Sequence, residues 1–244
     1  MTLEIAVFNI GSALLAAAAG ADRIELCENP ADGGTTPSYG TLKMVREKIS
    51  IPVFPIIRPR GGDFLYTGLE FEIMKKEVAL CRQLGFEGVV LGLLEEDGRI
   101  DKKRTGILVN LAYPMEVTFH RAFDRAINPF EAMEDIIDTG CRRILTSGQV
   151  PNAADAMALI RELVTKADDR IIIMPGSGIR SSNIQAIAHE TGVTELHSSA
   201  RKLIPSLMQY QQASMQETLN MVTVDMEEIE NMKAILEQMG TTLS

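Results

Sequence analysis

Tryptophan is absent from the 244 residues, aromatic residues make up only 5%, and there are three cysteines. Those cysteines, Cys27, Cys81 and Cys141, lie far apart with no CxxC spacing. That excludes a sequence-readable zinc site or iron–sulfur cluster and fits a reducing compartment, so a cytoplasmic protein is expected. No apolar run approaches the roughly 18 residues of a membrane span, and no charged-then-apolar leader precedes Leu3, so neither the membrane nor export is expected. Positive charge is scarce as well: 24 basic against 33 acidic residues give a formal charge of −9. A nucleic-acid footprint needs a clustered basic surface, so nucleic acid is not an expected partner. Proline is sparse at ten residues and the chain is 45% hydrophobic, which excludes a disordered or low-complexity chain.

What is present is a repeated alternation. Short β-branched runs at 3–8, 23–27, 52–57, 88–93, 115–119, 143–146, 170–174 and 193–196 are each followed by a segment of helical periodicity, with starts 20 to 36 residues apart. Strands alternating with helices at that interval predict repeated βαβ units and a parallel sheet. Runs such as Ile171-Ile172-Ile173-Met174 are apolar at successive positions, as in strands covered on both faces. Eight such units in 1–244 predict one α/β domain, a closed (β/α)8 barrel, with an open doubly wound sheet as the alternative. The pattern breaks at 201–224, read as an inserted loop whose Leu203, Ile204, Leu207, Met208 and Tyr210 need cover, over the barrel mouth or against a neighbouring subunit. A last amphipathic helix is predicted at 225–239, with Met226, Ile229, Met232, Leu236 and Met239 on one face.

In such barrels chemistry gathers at the C-terminal ends of the strands. There the chain places Asn9, Glu25, Glu28, Arg58, Arg60, Asp63, Glu95, His120, Arg121, Asp124, Thr146, Ser147, His197 and Ser198. Pro175-Gly176-Ser177-Gly178 and His197-Ser198-Ser199-Ala200 end the seventh and eighth runs, where glycine-bearing loops let backbone N–H groups approach a phosphate or merely make tight turns. Arg58 and Arg60 flank a proline, which suits two guanidinium forks to a carboxylate or phosphate, or to pairing with Glu25 or Asp63. Glu25, His120 and His197 could serve as acid and base or ligate a divalent metal. No strand end supplies a lysine for Schiff-base chemistry, and no GxGxxG follows a strand, so a nucleotide cofactor is not signalled.

Five stretches carry a further signal: 20–27 (GADRIELC), 33–38 (GGTTPS), 57–64 (IRPRGGDF), 118–124 (TFHRAFD) and 145–149 (LTSGQ). Together they resemble the CutC family, described as copper homeostasis proteins. The resemblance implies a cytoplasmic TIM barrel, a homo-oligomer, a link to copper tolerance, and copper or another divalent metal as the candidate cofactor. Family members often carry cysteine in the first strand and just after the HRAFD motif, where this chain has Ala6 and Arg125-Ala126. Cu(I) prefers paired soft ligands, and only Cys27 stands at a strand's C-terminal end. The thirteen methionines, several on the apolar face of the last helix, read as core filling.

Two expectations follow. In the first, the barrel is an enzyme for a small anionic metabolite, phosphorylated ones included: Glu25 and His120 are the acid–base pair, and Arg58, Arg60, Ser147, Gly176, Gly178 and Ser198 hold the anion. In the second it binds a metal without turnover through Cys27, His120 and His197.

Overall fold

The computed structural model describes residues 1–242. Eight parallel strands, β1 (Thr2–Val7), β2 (Arg23–Leu26), β3 (Val53–Pro55), β4 (Gly88–Leu91), β5 (Glu116–Phe119), β6 (Arg143–Thr146), β7 (Ile172–Pro175) and β8 (Glu195–Ser198), alternate with helices. These are α1 (Ile10–Ala18), α2 (Tyr39–Lys48), α3 (Gly68–Leu84), α4 (Lys102–Ala112), α5 (Pro129–Thr139), α6 (Met157–Ala167) and α7 (Ile184–Thr191), with α8 (Met226–Thr242) closing the count. Hydrogen bonding runs β3-β2-β1-β8 on one side and β4-β5-β6-β7 on the other. A parallel bridge between Ile56 and Val90 links β3 to β4, and β7 packs beside β8. The result is the (β/α)8 barrel that the eight units predict.

Local chemistry sets the helix ends. Asn9 accepts from the amide of Ser12 at the start of α1, and Asn128 precedes Pro129 at the start of α5. Thr67 and Glu70 form a reciprocal capping box on α3, which Gly85 ends at φ 77°. In α8, Ile229, Met232 and Leu236 are buried, the inward face that the periodicity predicts.

The barrel interior carries charge where the strands read as apolar. Glu4, Arg23, Arg143 and Glu195 are all buried. Arg23 bridges Glu4 and Glu195, while Arg143 donates to Glu195 at 3.1 Å and to Glu116 at 2.7 Å. Both guanidinium carbons also stand over the Phe54 ring, at 5.1 and 5.2 Å from its centroid. Phe54 fits because position 88 is glycine: a Cβ there would lie 2.4 Å from the ring.

Segment 201–224, expected to be a loop, is instead a hairpin. Strands β9 (Arg201–Ile204) and β10 (Met221–Val224) pair antiparallel, with Arg201 opposite Val224. Asn9 Nδ2 donates to the carbonyl of Val222 at 3.0 Å, and the Asp225 amide donates to the carbonyl of Ala200 at 2.7 Å, so β10 lies against α1. Thr223 and Val224 are buried by this docking. The apolar residues beyond it find no cover within the chain, Leu207 being 92% and Tyr210 70% exposed.

Candidate functional site

A cavity of about 440 Å³ opens at the C-terminal ends of the strands. Its floor holds Ala6, Glu25 and His197, one flank holds Arg58, Phe64 and His120, and the opposite rim holds Ser177, Gly178, Arg180, Ser199 and Arg201.

Beneath and on the floor three titratable side chains, Glu4, His197 and Glu25, stand in a row. Parallel register places Glu4 beside His197 and Ala6 beside Glu25, so the β1 backbone sets both spacings. His197 Nδ1 lies 2.7 Å from Glu4 Oε1, and its Nε2 lies 3.7 Å from Glu25 Oε2. Burial by itself would raise the Glu4 carboxyl, yet Arg23 and His197 hold it at about 2, so it is a fixed anion. Burial pushes Glu25 up to about 7 despite the opposing pull of His197, and the Glu4 charge pushes it the same way. Burial works against charge on His197, but the Glu4 hydrogen bond and the two carboxylates raise its pKa above the usual imidazole value. Glu25 therefore titrates near neutrality beside a His197 whose charged form is favoured, with Glu4 hydrogen-bonded to the other ring nitrogen.

The flank behaves differently. Arg58 is 5% exposed, and its terminal nitrogens are committed to backbone: Nη1 donates to the carbonyls of Asp32 and Gly34, and Nη2 to that of Gly62. Its Cζ stands 4.9 Å over the Phe64 ring. His120, also buried, stacks on Phe64 with centroids 4.9 Å apart and accepts from the Ala122 amide at Nδ1. Burial, then the Arg58 charge, push its pKa down to about 3, so the ring is neutral.

The rim suits an anion. Ser177 and Gly178 both have left-handed backbone, φ 79° and 75°. Among the described residues nothing accepts from the amides of Ser177, Gly178 or Ile179. Amides without an acceptor are available to an anion, and Arg180 and Arg201 add positive charge beside them.

The structure thus brings Glu25, Arg58, His120, His197 and Gly178 to one cavity and leaves others of the expected set outside its lining. Arg60 turns to Glu70 at 2.6 Å and Asp63 at 2.9 Å. Ser147 is spent on Asp124 and the carbonyl of Val150. Ser198 donates to the carbonyl of Ile179 and is buried below the wall, where its neighbour Ser199 stands. Gly176 supports the floor: a Cβ there would come within 3.1 Å of the His197 ring. Glu25 stands next to His197 rather than beside His120, the partner expected from the sequence. Sequence reasoning missed Glu4, Phe64, Arg180 and Arg201. A lone acid inside the apolar run Leu3–Phe8 was the available signal for Glu4, and Phe64 ends one of the motif stretches.

The donor set does not fit copper. Cys27 is 1% exposed, packed among Phe54, Ile56 and Val90, and absent from the cavity lining. Burial, then the Glu25 charge, push its thiol well up, away from the thiolate that Cu(I) requires. Among the described residues no three His, Cys, Asp or Glu side chains gather closely enough to hold a metal ion.

The profile of the CutC family matches residues 1–202. A family protein CutC of Edwardsiella ictaluri is 47% identical over 99% of this chain and 98% of its own, and one of Photorhabdus laumondii is 52% identical over 86% and 84%. A solved structure from Streptococcus agalactiae, described as a candidate copper homeostasis protein CutC, superposes with TM-score 0.77 at 34% identity, over 82% of this chain and 98% of that one. A phosphoribosylanthranilate isomerase of Pyrococcus furiosus superposes with TM-score 0.58 at 12% identity over 98% and 99%, a likeness of fold alone. With the match spanning the barrel from its first strand through its eighth, this chain belongs to the CutC family.

Proposed function

We propose that this CutC-family barrel is an enzyme that binds a small anionic metabolite and moves a proton on it. The observation that carries the proposal is the buried pair His197 and Glu25 on the cavity floor with Glu4 beneath it, His197 lying 2.7 Å from the Glu4 carboxylate and 3.7 Å from that of Glu25. Burial with a fixed anion beneath and a carboxyl near 7 beside it is the environment that tunes acid–base groups to neutral pH. Arg180, Arg201 and the free amides of 177–179 hold the negative group of the ligand, a phosphate or a carboxylate, while Glu25 and His197 exchange the proton. Calorimetric titration with inorganic phosphate tests the anion site. Binding in the wild type that weakens at least tenfold in the Arg180→Ala, Arg201→Ala double variant supports it, and unaltered binding refutes it.

Copper homeostasis enters through the family, whose Streptococcus agalactiae member carries that description. In this proposal the link to copper runs through the metabolite, without direct ligation by Cys27, His120 and His197. The competing account, direct Cu(I) binding, is read by anaerobic titration against a chelator with wild type and Cys27→Ser: competitive binding lost in the variant would establish it. Cytoplasmic location and self-association belong to the same proposal. They are supported by three unpaired cysteines and by the uncovered apolar tip of the hairpin. Among the described residues no helix is long and apolar enough to cross a membrane.

A further inference from the structure

Two N–H groups on the cavity flank have no acceptor. Arg58 Nε and His120 Nε2 are buried and without a hydrogen-bond partner, the Tyr66 hydroxyl that interacts with the Arg58 guanidinium being unpaired as well, and both Arg58 and His120 line the cavity. A buried donor left unpaired is destabilising unless a ligand supplies the acceptor. Neither group can turn away to find one. The other nitrogens of Arg58 are tied to three carbonyls, of Asp32, Gly34 and Gly62. His120 Nδ1 accepts from the Ala122 amide at 3.2 Å, which leaves the ring proton on Nε2. The ring is further fixed between Phe64 and Gly92, where a Cβ would lie 2.5 Å from Nδ1. Phe64 lies against both side chains, its ring centroid 4.9 Å from that of His120 and 4.9 Å from Arg58 Cζ.

We infer that Arg58 Nε–H and His120 Nε2–H form a donor pair for a carbonyl oxygen of the ligand, so that the substrate class is a small anionic aldehyde or ketone with an ionisable C–H beside the carbonyl. This deepens the anion-pocket reading and rests on it. The step balances without a metal or a redox partner. Glu25, as carboxylate, takes the proton from the carbon beside the carbonyl, the C–H electron pair becomes the new C=C bond, and the carbonyl π pair moves onto oxygen. The two N–H groups receive that oxyanion. Where the carbon beside the carbonyl also carries a hydroxyl, that O–H proton passes to the oxyanion and Glu25 returns the carbon-bound proton to the former carbonyl carbon, so that the product is the isomeric carbonyl compound. A neutral imidazole suits the task, because it stabilises the enolate by hydrogen bonding while keeping its own proton.

The test is calorimetric titration of the full chain with two probes: phosphoglycolohydroxamate, a phosphate joined to a planar pair of oxygens that mimics an enediolate, and inorganic phosphate. The hydroxamate is expected to bind more tightly than phosphate, and His120→Phe, which keeps a ring against Phe64, is expected to cut that advantage about ten- to hundredfold. An unchanged ratio of the two affinities overturns the donor pair and leaves the anion pocket standing. Absence of binding by both probes overturns both readings. Should His120→Phe fail to fold, the wild type decides by nitrogen-15 NMR, where only three histidines contribute. The Nε2–H proton of His120 is expected to shift downfield with hydroxamate and not with phosphate, and an unmoved signal overturns the inference.

Discussion

Replacing Glu4 by glutamine removes the fixed anion beneath the site while keeping its shape. Glu4 is fully buried and accepts from Arg23 Nε and His197 Nδ1. Its carboxyl is held at about 2 against an ordinary value of 4.5, which corresponds to about 3 kcal/mol favouring the charged form. An independent route agrees: two charge-assisted hydrogen bonds, of which glutamine can replace one as acceptor, and a buried Arg23 left with Glu195 alone give a loss of about 3 to 5 kcal/mol. For a chain of this length that lowers the melting temperature by roughly 6 to 20 °C. Because the folded-state pKa is depressed, the contribution is full above about pH 4.5 and disappears as the pH falls toward 2. The wild-type and variant melting curves should therefore converge in acid. The same substitution removes the main support for charge on His197, whose titration by NMR should fall below its wild-type value. A melting change under about 2 °C at pH 7, or an unmoved His197 titration, would refute this reasoning.

Other outcomes follow from the same geometry. Glu25 has a folded-state pKa raised to about 7, so its contribution to stability is present below about pH 4.5 and is lost as the pH rises through 7; Glu25→Gln should flatten that alkaline decline in a melting series from pH 5 to 9. Gly92→Ala places a methyl group against the His120 ring, and a loss of about 1 to 3 kcal/mol in urea unfolding is expected, together with a shifted His120 NMR signal. Replacing residues 205–220 by a short turn should leave the melting temperature within about 2 °C, because Leu207, Met208 and Tyr210 contribute almost no burial within the chain. Cys27→Ser should leave Cu(I) competition unchanged from wild type, since the thiol is buried, neutral and off the cavity wall.

The repeat was legible because eight apolar runs at regular intervals admit few architectures, and the barrel rule then pointed to the strand ends where Glu25, Arg58, His120 and His197 stand. What the runs concealed was their charged members. Glu4 and Glu195 lie inside apolar runs and Arg23 and Arg143 begin them, yet inward alternation stacks all four into a buried ion network. Which histidine meets Glu25 was a matter of register: His197 lies opposite Glu4 on the strand beside β1, whereas His120 arises three strands away from Glu25 on β5's end. Arg60 and Arg58 look equivalent in sequence, but only Arg58 precedes the proline on the inward side; Arg60 faces Glu70 of α3. The hairpin at 201–224 was hidden because β9 is exposed and its pairing with β10 spans a long tip that carries no strand pattern of its own.

Glu25 and His197 are proposed to move a proton on a small anionic ligand. The direct measurement is proton NMR of small phosphorylated hydroxy-aldehydes and hydroxy-ketones incubated with the protein in deuterated water, wild type against Glu25→Gln. Solvent deuterium is expected to enter beside the carbonyl of at least one compound, at a rate at least a hundredfold lower in the variant. No exchange in any compound that binds the cavity, or equal exchange in both proteins, would contradict it.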